Sequence, residues 1–191
     1  MKKNILALGI LTLMVASAAD AYVLLSPTRR WGTVPVPVRV YTTGNSTIND
    51  SDRGVTAVVG AVRAWAVVGS ATTSSAAVRG SAPATIMLNT NGNICTGSCL
   101  AATLTGYYSG STIRDADVYT NTRYSFTSSR ETDGCSSEFD INGIMVHEVG
   151  HVIGIGHSNV AGATMYPTVS SCNIGPRSLE ADDLAAMNFL Y

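Results

Sequence analysis

Eleven residues constrain this chain more than any other stretch: His147-Glu-Val-Gly-His-Val-Ile-Gly-Ile-Gly-His157. Positions four apart lie on one face of an α-helix, so a helix here aims His147 and His151 to the same side. Two neutral imidazoles so placed can hold a Zn²⁺ ion at about 2.0–2.1 Å each. Gly154 accepts the positive φ that ends a helix and reverses the chain, which lets His157 return as a third ligand. Three protein ligands leave the fourth tetrahedral position open, the mark of a catalytic rather than a structural zinc. Glu148 lies one position beyond His147. It is the candidate general base for a water whose pKa zinc lowers to about 7. The chain holds three histidines, and all three fall in this motif.

The fold must therefore bury a helix around that motif. Asp140 can cap an apolar helix over 141–153. Residues 54–68 repeat Val55, Val58, Val59, Val62, Trp65 and Ala66 at helical spacing, with Asp52 as a candidate cap. A third helix is expected over 179–190, with Leu179, Leu184, Met187 and Leu190 available for packing. Strands are expected from about Val38 (two prolines exclude the residues before it from a central position), over 84–88, 100–108 and 112–119. A turn is expected at 43–47, and 120–137 reads as a loop. These elements make a single α+β domain.

The N-terminus has a different character. Met1-Lys-Lys3, an apolar run from Ile5 to Val15 and Ala19-Asp-Ala21 stand in the order of a secretory signal peptide. We expect residues 1–21 to be removed, with a cut after Ala18 as the alternative, leaving 22–191 as the catalytic domain. The cut leaves 10 basic and 12 acidic residues, and every remaining basic residue is Arg. The charges are scattered without a basic block, which argues against nucleic acid as a partner. No later segment is long and apolar enough to span a bilayer. A secreted (extracellular) or periplasmic monomer without a membrane anchor is expected. Cys95, Cys99, Cys135 and Cys172 then suggest two disulfides. Three connectivities are open. A local Cys95–Cys99 staple with a long Cys135–Cys172 clip is favoured, and a four-thiolate zinc site is the competing reading.

The extended motif from His147 to His157 resembles the metzincin signature of zinc peptidases. Ala163-Thr-Met165-Tyr-Pro167 is similar to the methionine turn that these proteins carry beneath the metal. Ser158 after the third histidine, with Met165-Tyr-Pro167, resembles the matrixin branch. Astacin-like and serralysin-like members place a Tyr two residues after the Met, where this chain has Pro167. The likeness extends to Trp31 with 35–41, to 54–65 and to 179–191. It implies a twisted, mostly parallel sheet with an antiparallel edge strand, a long helix in the N-terminal half, a zinc helix and a C-terminal helix. It also implies endopeptidase activity on an extended protein or peptide. The edge strand beginning Leu100-Ala101-Ala102 would bind that substrate, and 166–169 with the Cys172 loop would wall the specificity pocket. Asp182 and Asp183 would brace the segment beneath the metal.

Departures from the family pattern carry their own expectations. No histidine remains for a second, structural zinc. Asp115 and Asp117 fall near where the family can bind calcium, but two carboxylates do not supply six to eight oxygens, so calcium is possible but unsupported. No Cys lies between Ala21 and Trp31 to block the metal, which fits a bacterial enzyme better than an animal one. Two other classes share the motif: a zinc hydrolase of a cell-wall amide, and a weakly catalytic binding protein on the same scaffold.

Overall fold

The structure, a computed structural model, describes residues 22–41, 43, 48, 54–75, 84–88, 90, 92–107, 110–129 and 135–191. The signal peptide reading, Asp52 and most of the 43–47 turn lie outside the described residues.

The strands are β1 (Arg30–Trp31), β2 (Val38–Tyr41), β3 (Thr72–Ser74), β4 (Ala84–Met87), β5 (Ala101–Tyr107), β6 (Thr112–Thr120), β7 (Phe126–Thr127) and β8 (Phe139–Asp140). The helices are α1 (Val55–Ala61), α2 (Ile141–Val152) and α3 (Ala181–Leu190). The main sheet runs β1-β6-β4-β2-β3 with every pairing parallel. On the other side of β6, β5 pairs antiparallel, Ala101 opposite Thr120 and Thr103 opposite Val118. β7 and β8 form a separate two-stranded pair. This is the α+β metzincin-like arrangement: a mostly parallel sheet with an antiparallel edge, and helices packed on it.

The core lies between the sheet and α1 with α2. Val38, Val40, Ala84, Ile86, Ala116 and Val118 line one side. Val55, Val58, Ile141, Met145, Val149 and Val152 meet them from the helices. Both tryptophans donate to α2 from outside it. Trp65 Nε1 reaches Val146 O and Trp31 Nε1 reaches Val152 O, each at 2.8 Å. Tyr191 closes the chain's other end, donating to Ile153 O at 2.8 Å and accepting from Trp31 N at 3.0 Å.

Several elements differ from expectation. The helix predicted over 54–68 is shorter: α1 ends at Ala61, a 3₁₀ turn covers Val62–Ala64, and Trp65 is extended. Sheet hydrogen bonding takes over there, with Val36 N on Val67 O and Gly69 N on Val36 O, both at 2.9 Å. Gly60 and three valines make α1 a weak helix that yields to this pairing. In α3 the buried stripe is Asp183, Ala186, Met187 and Leu190, while Leu184 lies beside it and is 41% exposed. The stripe begins on a carboxylate because that carboxylate has buried partners. The expected loop over 120–137 contains β7, and β3 follows α1 unannounced.

Candidate metal centre

Local sequence sets the frame of the site. Asp140 caps α2 by accepting from Gly143 N at 2.8 Å. The helix continues through His151 and stops at Ile153, and Gly154 takes φ +102°. A side chain there would place its Cβ 2.1 Å from Arg29 O, so this reversal requires glycine. The chain then turns back, and the ligand-capable nitrogens of His147, His151 and His157 all lie within 4.8 Å of one another. Nε2 of His151 faces Nε2 of His157 at 3.2 Å.

Two backbone carbonyls orient the rings. His147 Nδ1 lies 2.7 Å from Thr164 O and His151 Nδ1 lies 2.7 Å from Ile155 O. A carbonyl only accepts, so each Nδ1 carries the proton and each Nε2 keeps its lone pair. Burial pushes His147 down to about 4, helped by the charge of His151, and burial likewise pushes His151 down to about 4. Burial lowers His157 as well. Three neutral imidazoles with converging lone pairs are the donor set of an open zinc site, so the residues present fit that ion.

Glu148 is buried beside the triad. Burial raises its pKa, while His147 and a hydrogen bond from Thr103 oppose the rise. Thr103 Oγ1 approaches Glu148 Oε2 at 2.6 Å and Glu148 O at 3.1 Å. The triad and Glu148 open onto a cleft of about 750 Å³. Leu100, Ala101 and Ala102 line one side; Tyr166 and Pro167 line the other. Tyr124 and Phe139, set edge-on with centroids 5.6 Å apart, also face the cleft and fall in or just after the segment read as a loop. Nothing in their local pattern marks them for that position.

Beneath the helix, Met165 is buried. A Cβ at position 150 would lie 2.2 Å from Met165 Sδ, so the glycine inside the motif clears the methionine turn. Asp183 holds that turn: it accepts from Thr164 N at 2.8 Å, Met165 N at 3.0 Å and Glu180 N at 2.9 Å. Asp182 accepts from Ser158 Oγ at 2.6 Å, and Ser158 N donates to Met165 O at 2.7 Å. The cysteines pair as Cys95–Cys99 and Cys135–Cys172. Both are joined as disulfides, so the four-thiolate zinc alternative does not form.

An open three-histidine cluster with a buried glutamate, set under an antiparallel edge strand, defines the metzincin class. The matrixin family model matches residues 50–191, and the chain belongs to that family of zinc-dependent endopeptidases. Among curated relatives, Metalloendoproteinase 4-MMP of Arabidopsis thaliana is 45% identical over 56 residues, covering 27% of this chain and 15% of that protein. Matrilysin of Rattus norvegicus is 40% identical over 60 residues, covering 31% and 22%. Karilysin of Tannerella forsythia is 42% identical over 55 residues, covering 29% and 11%. The alignments thus span less than a quarter of each relative's length.

Proposed function

We propose that this chain is an exported zinc endopeptidase that hydrolyses peptide bonds in extended protein substrates and acts as a monomer. The observation that carries the reading is the convergence of three neutral imidazoles, two of them oriented by backbone carbonyls, beside a buried glutamate in an open cleft. His147, His151 and His157 would hold the metal. A zinc ion held there supplies Lewis-acid chemistry, polarising a carbonyl and acidifying water.

The chain's own residues do the rest. Glu148 takes the proton from the attacking water and passes it to the leaving amine nitrogen. Its burial supports this role, because a raised carboxylate pKa makes a stronger base. A substrate lies extended along β5 through main-chain hydrogen bonds, with Leu100, Ala101 and Ala102 beside it. Tyr166 and Pro167 bound the pocket for the side chain following the scissile bond. Met165 supports the metal ligands from below through its packing on α2. Export is supported by the signal-like residues 1–21 and by the two disulfides. No helix among the described residues is long and apolar enough to cross a membrane.

Cleavage-site profiling of the zinc-loaded chain beside Glu148→Ala tests the reading. The parent chain is expected to cut proteins internally, and Glu148→Ala to bind one zinc without proteolysis. Biological effects left intact by Glu148→Ala would instead favour a binding protein on this scaffold. Release of cell-wall fragments without peptide cleavage would assign a different amide.

A further inference from the structure

We propose that Thr103 is a positioning residue for Glu148, holding one carboxylate oxygen so that the other faces the reacting water. The inference rests on the reading of Glu148 as the base. Thr103 comes from β5, the strand proposed to bind substrate, and lies 45 positions from Glu148 in sequence. Its register opposite Val118 sets its place along α2. Its single hydroxyl proton has two acceptors in reach, Glu148 Oε2 at 2.6 Å and the Glu148 backbone O at 3.1 Å. The shorter contact is in the range of an O–H donating to an ionised carboxylate.

The consequence is geometric. A glutamate side chain has three rotatable torsions, and a general base must stay within hydrogen-bond reach of the proton it takes. With Oε2 engaged by Thr103, rotation of the carboxylate costs that bond, and Oε1 is left for the water. The same hydroxyl ties the base to the substrate strand, so a shift of β5 on substrate binding is felt at Glu148. Serine preserves this hydroxyl, valine keeps the shape of threonine without it, and alanine removes both.

The test compares Thr103→Val, Thr103→Ser and Glu148→Gln in the zinc-loaded chain. Thr103→Val is expected to lower kcat by roughly 10- to 100-fold, the scale of a misplaced reacting group. KM should stay within about twofold, because the interaction acts in the chemical step rather than in binding. Thr103→Ser should restore most of kcat. A crystal structure of zinc-loaded Thr103→Val should show the Glu148 carboxylate rotated from its place, and Thr103→Ser should return it. Should the valine variant not fold, Thr103→Ala carries the same comparison. A valine or alanine variant with parental kcat, a serine variant as slow as they are, or an unmoved Glu148 overturns the proposal. An active Glu148→Gln overturns the base assignment itself, whereas an inactive Glu148→Gln beside a fully active Thr103→Val overturns only the role of Thr103.

Discussion

Asp183 shows how much can depend on one carboxylate. It is fully buried, and its oxygens accept three backbone N–H groups, two of them from the methionine turn. Thr164, whose N–H it holds, presents its carbonyl to His147 Nδ1. The ring's orientation is therefore inherited from a helix 36 positions away (Asp183 against His147) through a single residue. Asp183→Asn replaces one acceptor by an NH₂ group that meets a backbone N–H, leaving at least one buried donor unsatisfied. Such a group costs roughly 1–3 kcal/mol. Urea unfolding should show a loss on that scale. Competition with a chelator should show zinc affinity reduced about 10- to 100-fold, as for other changes to groups that orient a ligand. Parental values in both measurements would refute this account. The triad was legible in the sequence because its spacing acts through one helix and one glycine. Thr103 was not, because its place on Glu148 depends on the register of a strand distant in sequence.

At the scale of elements, α2 is held at both ends. Its start is held by Asp140, whose Oδ2 caps Gly143 N and also accepts from Arg177 Nε at 2.9 Å. Arg177 NH2 reaches Asp140 Oδ1 at 2.5 Å and Ser129 O at 2.6 Å. The Asp140 side chain is only 2% exposed, so this ion pair is sheltered. Removing Arg177 alone strands a buried negative charge, at a cost of about 3–5 kcal/mol. Arg177→Met should show that loss by denaturant unfolding. In a double-mutant cycle, Arg177→Met in an Asp140→Asn background should cost much less, because no uncompensated carboxylate remains. Equal losses in both backgrounds would show that the pair is not coupled. The cap by Asp140 could be read from sequence, since capping is local. Its arginine could not, because the pairing spans 37 positions. For the same reason β3, β7 and β8 escaped notice: two or three residues show no alternation, and only their distant partners make them strands. α1 failed in the other direction, as a helical pattern cut short by tertiary hydrogen bonds.

At the scale of the molecule, the two disulfides sit at the borders of the cleft and divide the work between them. Cys95–Cys99 closes a short loop whose Gly97 carbonyl accepts from Tyr124 Oη at 2.9 Å, beside the start of β5. Cys135–Cys172 spans 37 positions and joins the segment entering α2 to the loop that follows Tyr166 and Pro167 at the cleft. There Cys172 N donates to Glu138 O at 2.9 Å, so the clip and a backbone bond act together. Chain entropy makes the long closure worth about 4 kcal/mol and the short one about 2 kcal/mol. Cys135→Ser/Cys172→Ser should therefore lower stability more than Cys95→Ser/Cys99→Ser. Function should separate the two bridges further. The long clip restrains the loop beyond Tyr166 and Pro167, so its loss should broaden selectivity for the residue after the scissile bond, read by profiling a peptide library. The zinc content should not change, because the rings of His147 and His151 are set by α2 and by the carbonyls of Thr164 and Ile155 rather than by either bridge. Unchanged selectivity together with unchanged thermal stability in the Cys135→Ser/Cys172→Ser variant would show that the loop keeps its shape without the clip, and that packing of Val169 and Pro176 at the cleft is sufficient to hold the pocket wall.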